Sequence, residues 1–205
     1  GARWRRDGVA REHRNPIPGL DNIIVLTPDD VMDGVSSSGN VVIFDDEHYY
    51  MGGVLAEKLR LEGHKVLLVT PAPDISNWTH HTMEQWRIQS RLLELGVELG
   101  TQQNLVSVNS TEVELACVFT DRRTRHKCET LVLVTERLPN DELYHALQAR
   151  QKELTEAGIK TLRCIGDCFA PGIIAASVHS GHLAAREFEN DIPEGVPFRR
   201  ERVVV

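Results

Sequence analysis

The chain has 205 residues, a net charge of −7, and 41% hydrophobic against 26% charged positions, enough apolar material for one large or two small domains. The acidic balance argues against general attraction to nucleic acid or to an anionic membrane. The 4 cysteines are too few for a disulfide framework, and no run has the form of a signal peptide or the length of a membrane span, so the composition points to the cytoplasm and reduced thiols.

The chain opens on Gly1-Ala2-Arg3-Trp4, with no initiator methionine and no apolar element before it, which reads as a piece of something longer. Residues 1–19 are basic and proline-punctuated (NPIPG), an irregular crossing segment. The cluster Arg3, Arg5, Arg6, Arg11, Arg14 and the tail Arg199, Arg200, Arg202 read as solvated or domain-contacting surface. Asn22–Leu26 is a predicted short strand. Thr27-Pro28-Asp29-Asp30 has the residues of a helix start, with Thr as cap, Pro in the first turn and acids at the positive end of the helix dipole. Gly34–Gly39 (GVSSSG) is a flexible connector and a candidate domain boundary.

Asn40–Gly53 (NVVIFDDEHYYMGG) is the most informative stretch. Val41–Phe44 is apolar, Met51, Leu55 and Leu59 recur at helical spacing, and His64–Thr70 (HKVLLVT) supplies the next apolar run. This is a β–α–β unit by period and length. A dinucleotide turn there reads G-x-G-x-x-G, so that bare backbone can approach a pyrophosphate at the helix N-terminus. The equivalent places hold Asp45, Glu47 and Tyr50, with Asp46 between the acids. Two unit charges about 4 Å apart repel by roughly 4 kcal/mol at the effective dielectric of a protein surface. The next strand ends Val69-Thr70-Pro71, with no acid for a ribose hydroxyl and no Arg for a 2′-phosphate. The turn therefore predicts no NAD(P) binding.

Farther along, His81–Leu95 is a predicted amphipathic helix stopped by Gly96. Asn104–Asn109, Glu112–Thr120 and Lys127–Val134 read as strands, the last two as an antiparallel hairpin across the polar turn Asp121–Arg125. Asp141–Ala157 reads as a helix closing at Gly158, Thr161–Ile165 as a last strand and Ile173–Asn190 as a last helix with small residues at Ser177, Gly181, Ala184 and Ala185. The order is that of a nucleotide-binding α/β domain with a β-meander crossover.

No catalytic residue emerges: there is no Ser/His/Asp arrangement and no carboxylate pair in an identifiable cleft. No metal site is expected either. Asp45, Asp46, Glu47 and His48 are adjacent, with His80 and His81 as candidates to lie near them in the fold, but consecutive residues on one turn point in different directions. Cys164 and Cys168 are not a C-x-x-C pair and read as buried structural thiols.

Leu131–Asn140 (LVLVTERLPN) resembles the V-L-V-A-T-G-R-x-P-N segment that ends the NAD(P)H domain of two-dinucleotide flavoprotein reductases, with Glu136 in place of Gly. Ile165–Ala184 resembles their later I-G-D strand–turn–helix, and Gly1-Ala2 the end of their A-T-G-A strand. The acidic, aromatic turn (DDEHYYM), LAEKL, PIPG and LTPDDVMDG are similar to the trimethylamine, dimethylamine and histamine dehydrogenase group, and the resemblance spans nearly the whole chain. It implies a Rossmann-like FAD/NAD(P)-type α/β fold with a β-meander, plus part of a second nucleotide-binding-type domain. The implied layout is a partial FAD/ADP-type segment and linker over 1–39, a degenerate NAD(P)-like domain over 40–140, a returning FAD/ADP-type segment over 141–190 and a tail over 191–205.

The same resemblance implies a parent with an N-terminal barrel, covalent FMN, a 4Fe-4S cluster and ADP, passing electrons to an electron-transferring flavoprotein. This chain itself would then be mainly structural and not catalytic alone. Gly166 and Asp167 become its candidate cofactor-binding residues: Gly permits close approach and Asp can accept from a ribose or ribitol hydroxyl, or else cap the following helix. The alternatives are the NADPH-binding domain of a 2,4-dienoyl-CoA reductase-like enzyme and a stand-alone nucleotide or metal module. The sequence leaves homodimer formation open.

Overall fold

The apolar run after Gly39 forms the middle of a parallel sheet. The structure is a computed structural model that describes residues 1–11 and 13–188. Its strands in chain order are β1 (Ala2–Trp4), β2 (Ile24–Leu26), β3 (Asn40–Asp45), β4 (Lys65–Val69), β5 (Glu98–Gly100), β6 (Gln103–Val108), β7 (Glu112–Cys117), β8 (Arg123–Lys127), β9 (Thr130–Val134) and β10 (Arg137–Pro139). The helices are α1 (Pro28–Met32), α2 (Met51–Leu61), α3 (Gln85–Glu94), α4 (Glu142–Gln148), α5 (Gln151–Glu156) and α6 (Ile174–Arg186). Five strands pair in the order β2-β9-β3-β4-β5, all parallel, and β6-β7-β8 form an antiparallel meander. The α/β class with a Rossmann-like sheet and a meander is the class observed.

Both faces of β3 are covered, so its apolar run is continuous. Val41 and Ile43 join Leu55, Ala56 and Leu59 of α2 and Leu92 of α3 in one core. Val42 and Phe44 join Leu105, Val113 and Leu115 of the meander in the other. The two-residue period of a strand sends neighbours to opposite sides. β9 (TLVLV) is buried along its whole length for the same reason. The chain leaves β3 toward β4 on one side and returns to β9 on the other. Strand order therefore reverses at the carboxyl end of β3, where open α/β sheets leave a crevice.

The chain divides into two compact units, Trp4–Arg137 and Gly1–Arg3 with the chain from Leu138 onward. The expected boundary at Gly34–Gly39 does not coincide with a division between units. β2 pairs in register with β9, and Leu26 and Val31 enter the helix-side core, which ties residues before Gly39 to the β3 unit. The helix start at Thr27 forms a capping box: Thr27 Oγ1 accepts the Asp30 amide (3.4 Å) and the Asp30 carboxylate accepts the Thr27 amide (2.7 Å). In the basic cluster, Arg5 pairs with Asp7, Arg6 with Asp30, and Arg11 lies 4.1 Å from the Trp78 ring centre.

Four elements differ from the sequence reading. The hairpin partner of β7 is β8, not β9; residues expected in the turn are strand, and β9 crosses into the parallel sheet. The chain changes sheet at Cys128-Glu129, whose amides donate to Thr111 O and Asn40 O. The amphipathic helix starts at Gln85, because Met83 is left-handed (φ 59°) and ends the 3-10 run Asn77–Thr82. The helix expected over 141–157 is broken into α4 and α5 at Arg150 (φ −104°, ψ 37°). Thr161–Ile165 is not a strand: it pairs with no ladder among the described residues, and isolated strands are not stable. The last helix runs Ile174–Arg186. The tail over 191–205, with Arg199, Arg200 and Arg202, lies outside the described residues. No helix among the described residues is long and apolar enough to cross a membrane.

Candidate functional site

The crevice at the end of β3 is occupied by the chain itself. Asp45 is wholly buried, and its Oδ1 accepts the amides of Glu47 (3.0 Å) and His48 (2.9 Å). The Asp46 amide donates to Val134 O (3.0 Å), extending the β3–β9 ladder by one residue. The Tyr49 amide donates to the Glu47 carboxylate (3.2 Å). The four successive amides that follow Asp45 are thus all taken by oxygens of the same chain. In a working dinucleotide turn, bare amides at this place face phosphate.

The side chains close the rest of the turn. His48 Nε2 lies 3.0 Å from Asp46 Oδ1, and its Nδ1 lies 3.2 Å from Thr70 Oγ1 at the end of β4. Thr70, in the position of the missing ribose acid, therefore faces His48. His48 is left-handed (φ 67°), a conformation that favours glycine, and these contacts hold it there. The Tyr50 hydroxyl lies 2.8 Å from Thr82 Oγ1 and donates to Glu84.

Burial pushes the Asp45 carboxyl up to about 7; the His48 amide and imidazole oppose it, the Glu47 carboxylate adds to it, and the Glu47 amide opposes it. Asp45 Oδ2 has no hydrogen-bond partner among the described residues. A Cβ on Gly52 would sit 2.3 Å from that oxygen and 2.9 Å from Asp45 Cβ. Gly52 thus performs the close helix–strand approach that the third glycine of the motif usually allows, two residues beyond the motif position held by Tyr50. Sequence spacing alone missed Gly52; the glycine pair at the head of α2 was its visible signal.

The second candidate turn is Gly166-Asp167, a 3-10 turn in the unit that begins at Leu138. Gly166 has φ 64°, and its amide donates to Ser180 Oγ (3.0 Å) of α6. Asp167 Oδ1 accepts the Gly172 amide (3.2 Å) and the Ser177 hydroxyl (2.7 Å). This carboxylate holds its own loop to α6, and a nucleotide hydroxyl would have to share it. The serines at 177 and 180 are partners that the motif did not reveal.

Of the candidate metal residues, Asp46 and His48 meet at 3.0 Å, but among the described residues no third ligand joins them. His80 pairs with Asp74 (3.1 Å), and among the described residues no group of three His, Cys, Asp or Glu could hold a metal ion. Nor do the four cysteines fit the four-thiolate ligation of an iron–sulfur cluster. Cys128 is buried, which pushes its thiol up to about 12. Cys164 and Cys168 are half-buried rather than buried, with their sulfurs 3.4 Å apart.

The family described as OYE-like second alpha/beta domain matches residues 26–135. Dimethylamine dehydrogenase from Hyphomicrobium sp. (strain x) is 33% identical over 224 aligned positions, covering 98% of this chain and 30% of that protein. The structure of histamine dehydrogenase from Rhizobium sp. 4-9 superposes with a TM-score of 0.96 at 43% identity, covering 100% of this chain and 32% of that one. That of 6-hydroxypseudooxynicotine amine oxidase from Pseudomonas geniculata N1 gives a TM-score of 0.87 at 37% identity, over 92% and 28% of the two chains. The chain spans about a third of the length of these relatives.

Proposed function

The chain belongs to the OYE-like second alpha/beta domain family, and we propose that it is a framework domain of an amine-oxidising flavoprotein that binds no NAD(P) of its own. The observation that carries this reading is the self-occupied turn: Asp45 Oδ1 takes the amides of Glu47 and His48 that a pyrophosphate would need. A dinucleotide would have to displace a buried carboxyl, accept the negative charge of Glu47 beside it, and unseat His48 from Asp46 and Thr70. Each step opposes binding.

The reading extends to the whole protein. The dimethylamine and histamine dehydrogenases it resembles are named for amine substrates, which supports an amine dehydrogenase; as in the group it resembles, that enzyme would depend on flavin and an iron–sulfur cluster, and it would act in the cytoplasm. Covalent FMN, the 4Fe-4S cluster and the substrate would then belong to an N-terminal barrel outside these residues. Electrons would pass to an electron-transferring flavoprotein. Residues 141–190 would return to an ADP-bearing domain, with Gly166 and Asp167 at its nucleotide.

Calorimetric titration of the full chain with NADH and NADPH should show no binding in the micromolar range. Micromolar affinity for either would overturn the framework reading in favour of a hydride-delivering, dienoyl-CoA reductase-like domain. The same titration with ADP, repeated on Asp167→Ala, tests the second turn. Reading the codons upstream of Gly1 tests the parent: a G-x-G-x-x-G turn and a cysteine-rich cluster segment would support it, and their absence would remove it.

A further inference from the structure

We propose that Cys164 and Cys168 form a redox-active dithiol that closes to an intrachain disulfide by exchange with low-molecular-weight disulfides. The two thiols flank the Gly166-Asp167 turn, and their Sγ atoms are already in contact at 3.4 Å. Cys164 Sγ donates to Cys168 Sγ and to Cys168 O (3.0 Å), while Cys168 Sγ lies 2.9 Å from Ile165 O. The loop is pinned independently of the sulfurs. Gly166 is tied to Ser180, Asp167 to Ser177 and Gly172, and the Phe169 and Ala170 amides to Gly166 O. The thiols are thus held face to face before any oxidant arrives, and closing the bond needs a contraction to about 2.05 Å. In this chain both residues are half-buried, so a small disulfide can reach them here, unlike the buried Cys128.

The contact also divides the roles. The hydrogen bond from Cys164 holds the Cys168 thiol below its ordinary range, with burial opposing, whereas burial and then the same contact raise Cys164. Cys168 is therefore the attacking thiolate and Cys164 the resolving thiol. Cys168 thiolate attacks one sulfur of RS–SR, forming Cys168–S–SR and releasing one thiolate RS⁻. Cys164 then loses its proton and attacks Cys168 Sγ, forming the intrachain bond and releasing the second RS⁻. The two protein thiols are oxidised by two electrons, the external disulfide is reduced, and the protons pass to the two released thiolates. Exchange runs in both directions, so excess thiol returns the pair to the dithiol.

The test uses the full chain equilibrated at increasing ratios of oxidised to reduced glutathione, quenched in acid, denatured and alkylated. Trypsin releases both thiols on one peptide, Cys164–Arg186. The expected result is parallel loss of alkylation at Cys164 and Cys168, with the peptide lighter by two hydrogens and Cys128 still fully labelled. Cys164→Ser should halt at a glutathione adduct on Cys168, and Cys168→Ser should slow adduct formation at least tenfold. Retention of both labels at every ratio would overturn the proposal, as would pairing between chains or adduct formation in which Cys164 reacts first.

Discussion

An aspartate oxygen holds the turn both at Asp45 and at Asp167, but the surroundings differ. Asp45 lies at the end of a strand buried on both faces, between a helix core and a meander core. Asp167 lies in a unit where, among the described residues from Leu138 onward, Leu154 alone is buried. There Ile174 is 84% exposed and Phe169 71% exposed. The same polar device therefore acts in the first turn at the cost of desolvation, which raises its carboxyl, and in the second turn close to water. The first region carries its own core. The second leaves apolar side chains for another surface to cover, in keeping with the proposed return to an ADP-bearing domain.

The sharpest way to break this contrast is to delete a ring from each region. Phe44→Ala should cost about 3–5 kcal/mol, since it opens a cavity in the meander-side core. Phe169→Ala should change stability by no more than about 0.5 kcal/mol. Urea unfolding followed by tryptophan fluorescence would compare them, and similar losses would abolish the distinction.

Next in size is a pH effect confined to the first turn. A carboxyl with a folded value raised to about 7, against an unfolded value of 3.8, keeps its proton in the folded state while the unfolded chain releases it. The unfolded state binds fewer protons through that window, so stability falls as pH rises from about 4 to about 7 and levels off above. The contribution is at most about 4 kcal/mol. In Asp45→Asn the amide oxygen still accepts from Glu47 and His48 but carries no proton to lose. The difference between parent and variant stability, measured by urea midpoint across that range, should move in favour of the variant with rising pH. A constant difference would show that Asp45 ionises normally.

Much of this was legible in sequence because two periods coincide with two elements. Val41–Phe44 and Met51–Leu59 showed the β–α turn, and Thr27-Pro28-Asp29-Asp30 showed its capped helix. The sheet change at Cys128-Glu129 was not legible, since no glycine or proline marks it and the charged β8 (RTRHK) has the composition of a turn. Thr161–Ile165 has strand composition, but pairing depends on a neighbour that its own residues do not specify. At the site, the wrong chemistry of the turn was plain, whereas the folding back of Asp45 Oδ1 onto its amides was not. Spacing reports which residues share a turn; it does not report where a short side chain points outside regular structure.

The smallest effects come from one substitution with opposite outcomes in the two regions. Gly→Ala inside a helix gains up to about 1 kcal/mol from backbone propensity alone. At Gly52 in α2 the new methyl would meet Asp45 Oδ2 at 2.3 Å and Asp45 Cβ at 2.9 Å. The short buried side chain cannot swing clear without abandoning Glu47 and His48, so overpacking should outweigh propensity and leave a net loss of about 1–3 kcal/mol. At Gly181 in α6 nothing among the described residues lies within 4 Å of the added carbon. Gly181→Ala should therefore keep most of the propensity gain, about 0.5–1 kcal/mol, visible as slower amide exchange across Ile174–Arg186. Faster exchange there would mean that the small face of α6 is already covered in this chain, and the contrast between the two regions would fail at its weakest side.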